Sequence, residues 1–154
     1  MVVLLQRCLK SSVTVDGKTV GEIDFGLTLF VGVFDGDSEV ECDFMARKIA
    51  ALRVFCDEND KMNKSVLDVG GSALVISNFT LCANARKGNR PSYDGAAAPQ
   101  RANELYEYFI KKLTENGIQK VEKGVFGADM NVKVENDGPV SIILDSDKIM
   151  PKKA

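Results

Sequence analysis

Apolar and polar positions divide the chain into short segments with two different periods. Residues 2–9 are apolar enough for a first strand. Ser12-Val13-Thr14-Val15 and Lys18 to Ile23 flank Asp16-Gly17, the two-residue loop favoured for a type I′ hairpin. Gly26 opens Leu27 to Phe34, a near-continuous apolar run that predicts a strand covered on both faces. Asp35-Gly36-Asp37 reads as a turn. Ser38 and Glu41 then form a capping-box pattern. Phe44, Met45, Ile49 and Leu52 give the following helix its apolar stripe, with Arg47 and Lys48 on polar positions. That helix is expected to run to about Arg53. Val54-Phe55-Cys56 reads as a short strand, Asp57 to Lys61 as a polar loop, and Met62 to Asp68 as an extended segment broken at Gly70-Gly71.

Ala73-Leu74-Val75-Ile76 predicts a buried strand that ends at Ser77-Asn78-Phe79-Thr80-Leu81. A loop of about 18 residues follows, long enough to suggest function. Pro99 begins a second helix with Ala102, Leu105, Phe109 and Leu113 on one face and an i,i+4 pair of Glu107 with Lys111. Asn116-Gly117 ends it. Ile118 to Glu122 is another short strand, and Lys123 to Met130 a glycine-punctuated loop. Met130 to Glu135 and Val140 to Leu144 then read as a hairpin about Asn136-Asp137-Gly138-Pro139. The proline there removes a backbone donor and makes its preceding peptide the one kind with appreciable cis frequency, about 5–6% in folded proteins. On the residues alone, a tight turn whose proline starts the next strand at an edge is the preferred account. The tail Lys148 to Ala154 is expected to be loosely held. Two helices and about eight strands in mixed order point to an α+β fold with a mixed sheet, in one domain spanning residues 1–154.

Composition narrows the chemistry. With 45% hydrophobic and 27% charged residues among 154, the chain has the makeup of an ordinary soluble globular protein. It has no run approaching the roughly 20 apolar residues that span a bilayer. Its N-terminus lacks a signal-peptide n-region, so a cytoplasmic, non-membrane protein is expected. A net charge of −2 argues against coating nucleic acid through bulk charge, while leaving room for a local basic patch. Cys8, Cys42, Cys56 and Cys82 form no C-x-x-C pair, and reduced thiols are expected rather than a zinc site. The chain has no histidine. That excludes Ser-His-Asp and Cys-His catalysis and histidine-ligated metals.

Three places remain where chemistry can sit. Ser77 to Thr80 offers two hydroxyls, an amide and backbone N–H groups at a strand end; a strand-to-loop transition held by local hydrogen bonds explains the same residues. Arg86, Lys87 and Arg90 with Tyr93 can hold phosphates and stack a base, or form a solvated surface loop. Phe126-Gly127-Ala128-Asp129-Met130 permits close backbone approach to a ligand, with Phe126 or Met130 covering a ring, and is equally a tight connection with two core side chains.

Taken together, Ser77 to Leu81, Arg86-Lys87-Gly88-Asn89-Arg90-Pro91-Ser92, Phe126 to Val132 and Asn136-Asp137-Gly138-Pro139-Val140 resemble the D-aminoacyl-tRNA deacylase family. Val3 to Arg7, Ser12 to Gly17, Ala46 to Ile49 and Met62 to Asp68 fit in register, so the resemblance spans about residues 1–146. It implies a partly barrel-like sheet with two main helices, completed in a homodimer whose active sites lie at the subunit interface. It also implies hydrolysis of the ester joining a D-amino acid, or glycine, to tRNA, with no cofactor and no metal.

On the matching positions, the resemblance implies that Gly138 and Pro139, with Val140, form a cis chiral gate that reaches into the partner's site. Ser77, Asn78, Phe79 and Thr80 line the aminoacyl pocket, the Phe79 N–H being a candidate oxyanion donor. Phe126, Gly127, Ala128 and Met130 hold the adenosine, Arg86, Lys87 and Arg90 meet tRNA phosphates, and Arg7 braces the Gly-Pro turn. Thr80 as nucleophile and attack assisted by the substrate's 2′-OH both stand, and the missing histidine favours the second. Asn78 departs from the family's usual glutamine and Ser141 from its usual threonine. A noncatalytic nucleic-acid-binding relative, and a deacylase of L-alanyl-tRNA with a trans Gly-Pro bond, are the competing readings.

Overall fold

The computed structural model describes residues 1–152. The chain runs β1 (Val2–Val15), β2 (Lys18–Ile23), β3 (Gly26–Gly32), α1 (Glu39–Ala51), β4 (Phe55–Cys56), β5 (Met62–Lys64), β6 (Ser72–Ser77), a 3-10 turn (Phe79–Cys82), α2 (Pro99–Glu115), β7 (Val121–Lys123), β8 (Asn131–Asp145) and α3 (Ser146–Ile149). The fold is mixed α+β, with a nearly closed, barrel-like sheet and three helices among the described residues.

The sheet is organised on β1. Its first half pairs antiparallel with β3 on one side, its second half with β2 on that same side, and β8 runs antiparallel along the other. Asp16 and Gly17 both have positive φ, +50° and +77°, as the Asp-Gly turn between β1 and β2 requires. β3 continues into a parallel pair with β6, and β6 into a parallel pair with β7. The path closes where β2 meets β7. A Cβ on Gly21 would lie 2.6 Å from the Lys123 carbonyl oxygen, so the approach is open only to glycine.

Strand alternation sorts the interior into two clusters. Leu27, Leu29 and Val31 on β3, with Ala73 and Val75 on β6, pack with Met45 and Ile49 of α1 and Leu105, Phe109 and Leu113 of α2. Leu74 and Ile76 point the other way, joining Cys8, Val13 and Ile23. β3 and β6 are thus covered on both faces, as their apolar runs require. Each large side chain buried in this way contributes roughly 1.5–3 kcal/mol relative to exposure. Ser38 caps α1 with the full capping box: Val40 N–H donates to Ser38 Oγ at 3.2 Å, and Ser38 N–H to Glu41 Oε2 at 2.7 Å.

Several expectations need correction. The last two strand segments are not a hairpin but one strand, β8, both parts of which pair with β1. A local Asp-Gly signal specifies a turn but not its pairing partner, and the long β1 supplies a better ladder than the segments offer each other. α1 stops at Ala51, because Leu52 is already extended at φ −66° and ψ 128°. The extended stretch from Met62 ends at Lys64, where Ser65 N–H donates to Asp68 Oδ2 at 2.8 Å and turns the chain. Glu107 does not pair with Lys111. It accepts from Lys123 of β7 at 2.9 Å, while Lys111 lies 3.9 Å from Glu115. Lys148 and Ile149 belong to α3, which Asp145 caps, and Ile149 packs on the core. The rest of the expected loose tail includes residues 153–154, which lie outside the described residues.

Candidate functional site

β3 and β6 end side by side, with Val31 paired to Ser77 and Asn78 N–H donating to the Val31 carbonyl at 2.8 Å. Beyond them the chain tightens into the 3-10 turn, whose first N–H groups have no partners within the turn itself. Opposite, α2 begins at Pro99, preceded by the small residues Ala96, Ala97 and Ala98. These elements and the segment Phe126 to Met130 enclose a cavity of about 750 Å³. Small side chains on the α2 side leave the room that larger ones would fill.

Tyr106 forms part of the wall. Its hydroxyl donates to the Val75 carbonyl at 2.7 Å, and its ring lies 5.9 Å from Phe126. Burial, reinforced by nearby Glu107, pushes the phenol well above its ordinary value, so it stays a neutral donor. Gly124 N–H donates to the same Val75 carbonyl at 3.1 Å. A Cβ on Gly124 would collide with Met130 Sδ, so this glycine lets Met130 fold in beside the cavity. Of the lining residues, Asp129, Tyr93 and Tyr106 carry ionisable side chains.

The expected site residues divide into three groups. Ser77, Asn78 and Phe79 line the cavity together with Phe126, Gly127, Ala128 and Met130. Thr80 stands one residue outside, exposed, with its hydroxyl donating to Asn78 Oδ1. Arg86, Lys87 and Arg90 do not line the cavity. They are exposed on a loop closed by Asn84 and Ser92, which exchange hydrogen bonds of 2.7 and 2.9 Å.

Gly138, Pro139 and Val140 also lie outside the cavity lining, in an irregularity of β8. Gln6 pairs with Ser141 and Cys8 with Asn136, so Arg7 alone faces the four residues 137–140, which bulge out. The Gly138–Pro139 peptide is cis. Gly138 has φ +127°, and a Cβ there would lie 3.1 Å from both Arg7 Nη2 and the Val140 nitrogen. Arg7, buried, holds the bulge: Nε donates to the Asp137 carbonyl at 3.1 Å and lies 3.2 Å from Asp137 Oδ2, while Nη1 donates to the Val54 carbonyl at 2.8 Å.

A family model described as D-Tyr-tRNA(Tyr) deacylase matches residues 4–145. The chain belongs to that family. Relatives called D-aminoacyl-tRNA deacylase include one from Koribacter versatilis (strain Ellin345), 52% identical over 145 residues, 94% of this chain and 97% of the relative. Another, from Aquifex aeolicus (strain VF5), is 53% identical over 146 residues, 95% and 98% of the two chains. The solved structure of a c-Myc DNA Unwinding Element Binding Protein superposes with TM-score 0.90 at 38% identity, covering 95% of this chain and 99% of that one. A probable eukaryotic D-amino acid tRNA deacylase shares the fold, with TM-score 0.80 at 16% identity over 93% and 97% of the two chains.

The parts of the cavity that the sequence does not announce include Tyr106, Ala96 to Ala98, Phe30 of β3 and Val33 just beyond it. The run Gly95-Ala96-Ala97-Ala98-Pro99 was the available signal, since small residues before a helix start leave space. Tyr106 gave none, because its position on the apolar stripe reads as core. Among the described residues no group of three or more His, Cys, Asp or Glu side chains gathers as metal ligands would.

Proposed function

We propose that this chain hydrolyses the ester bond of D-aminoacyl-tRNA, and of glycyl-tRNA mischarged on other tRNAs, releasing free tRNA and the amino acid. The observation that carries this reading is the meeting of two separate signature stretches, Ser77 to Phe79 and Phe126 to Met130, on one cavity of about 750 Å³. The terminal adenosine enters with its base against Phe126 to Met130 and its ester at Ser77 to Phe79. Water adds to the ester carbonyl carbon, and the charge that develops on the carbonyl oxygen is met by the Phe79 N–H. A preorganised donor of this kind contributes roughly 3–4 kcal/mol. The bond to the ribose 3′ oxygen then breaks, and that oxygen takes the proton.

The base is the question in a histidine-free cavity. Thr80 already donates its proton to the amide oxygen of Asn78, and an amide is no base. Tyr106 is neutral and committed to Val75. The carboxylate of Asp129 also lines the cavity; in this reading the substrate's own 2′-OH guides the water, as the missing histidine favours, and Thr80 and Asn78 position rather than attack. The Asn78 side chain is held by the Thr80 hydroxyl.

Chirality is read by exclusion. The Gly138–Pro139 bulge lies outside the lining of its own cavity, which suits a gate presented to a second copy in a homodimer with sites at the subunit interface. Its carbonyl groups leave no room for an L side chain. Arg7 braces it, Arg86, Lys87 and Arg90 meet tRNA phosphates, and the enzyme works in the cytoplasm.

Incubation with D-tyrosyl-tRNA and L-tyrosyl-tRNA tests the reading: release from the D-ester alone is expected, and equal release from both, or none from either, refutes it. A second reading rests on the 38% identity to a protein named for binding a DNA unwinding element. It predicts nucleic-acid binding without turnover. D-specific hydrolysis that disappears in Gly138→Ala removes it.

A further inference from the structure

Two aromatic rings at the mouth of the cavity are not used by the hydrolytic mechanism. Phe79 is 60% exposed and Tyr93 38%, although both are large and apolar-faced. Their rings meet edge to face, with centroids 5.1 Å apart and planes at 68°. Both contribute to the cavity wall, so the pair stands on its rim.

The pair is built into the fold from two directions. Phe79 is the first residue of the 3-10 turn that follows β6. Tyr93 comes from the long loop, where its carbonyl accepts from Ala96 N–H at 3.0 Å. Immediately before it, the Asn84–Ser92 closure presents Arg86, Lys87 and Arg90, none of which makes an ion pair among the described residues. Along the chain, Tyr93 thus joins the cavity wall to a loop that carries three exposed cations. A nucleic-acid strand leaving the cavity has that order of needs: a stacking surface for its next base, then positive charge for its phosphates.

We propose that Phe79 and Tyr93 form the stacking platform for the base of the penultimate nucleotide of the tRNA, one step inside the terminal adenosine. The inference rests on the reading of the cavity as the site of the aminoacylated adenosine. A stacked base leaves the strand turned towards Arg86, Lys87 and Arg90. Stacking is indifferent to which base is present, which suits a nucleotide common to all tRNAs. An amino-acid side chain is the rival occupant, but it would give the cations beyond Tyr93 nothing to bind.

The test uses three non-hydrolysable ligands in which the ester is an amide: D-tyrosyl-adenosine, D-tyrosyl-CpA, and the same dinucleotide with an abasic residue in place of C. Calorimetry gives the dissociation constants, and kcat/KM for the matching esters is measured in parallel. Tighter binding of CpA than of adenosine, by roughly 5- to 150-fold, is expected from stacking one base, with most of it lost in the abasic ligand. Tyr93→Ala should erase most of the CpA advantage over adenosine, and Tyr93→Phe should keep the advantage. Equal binding of CpA and abasic ligands by the wild type, or an equal loss on adenosine and CpA in Tyr93→Ala, overturns the platform. If ligand binding shows the base advantage but no ester is cleaved, the hydrolase reading falls and the platform stands.

Discussion

Replacing Arg7 with methionine keeps most of the stem's volume and removes the charged fork. In the native fold that fork meets the Val54 carbonyl at 2.8 Å, the Asp137 carbonyl at 3.1 Å, the Asp137 carboxylate at 3.2 Å and, more distantly, Cys56 Sγ at 3.8 Å. Val54 is 3% exposed, so water does not readily replace the lost donor. Stranding such a carbonyl costs about 1–3 kcal/mol. The Asp137 side chain is 34% exposed, and its pair with Arg7 is discounted for solvent screening to about 1 kcal/mol. The expected loss is about 2–4 kcal/mol. For a chain of this size it lowers Tm by roughly 4–16 °C, at about 2–4 °C per kcal/mol. Released from Arg7, residues 137–140 lose their fixed position, and discrimination between D- and L-tyrosyl-tRNA should fall further than D-hydrolysis itself. Calorimetric melting and paired deacylation assays on Arg7→Met measure the two effects separately. Arg7→Lys should recover part of the Tm, because one ammonium cannot reach both Val54 and Asp137. A Tm within about 1 °C of wild type would refute the brace, and an unchanged D/L ratio in a destabilised variant would refute its link to the gate.

Two further outcomes follow from other contacts. Tyr106→Phe removes one of two donors to the Val75 carbonyl at the cavity wall, the other being Gly124 N–H; a loss of about 0.5–1.5 kcal/mol in urea unfolding is expected, and a loss well above that range would show that Gly124 N–H does not satisfy the carbonyl. Burial alone would raise the Glu41 carboxyl, but hydrogen bonds from the Ser38 hydroxyl and backbone N–H outweigh it and hold the group below its usual range. Its contribution is therefore fully present above the unfolded carboxylate pKa and lost as pH falls through the lower folded value. The stability difference between wild type and Glu41→Gln in urea should shrink on acidification through that window, and a difference that grows there contradicts the assignment.

What could be read from the chain depended on how local its cause was. The capping box of α1, the Asp16-Gly17 turn and the proline start of α2 are decided by residues within one turn of each other, and all three appear where the sequence places them. The partner of β8 is decided at long range. Met130 to Glu135 and Val140 to Leu144 carry the same signals whether they pair with each other or with β1, so the hairpin was the natural and incorrect reading. Glu107 fails for a related reason: β7 brings Lys123 within 2.9 Å, and an interaction across the fold displaces the one along the helix. The residues of the cavity were half legible. Polar strand ends and glycine-punctuated loops advertise themselves, whereas a wall made by alanines and a buried tyrosine looks like ordinary core until the space beside it is seen.

The bulge at residues 137–140 is fastened at both ends to one strand, by Gln6–Ser141 on one side and Cys8–Asn136 on the other. A hairpin tip swings about its base, but a segment clamped between two ladders moves only if a strand slips. A slip of one residue would turn every β8 side chain to the opposite face and expose what is now buried. The placement of this small backbone feature is thus guarded by the cooperativity of the whole sheet. If residues 137–140 act as the proposed gate, mutations that loosen β1 against β8 anywhere along its length should register as lost discrimination between D- and L-esters before they register as unfolding.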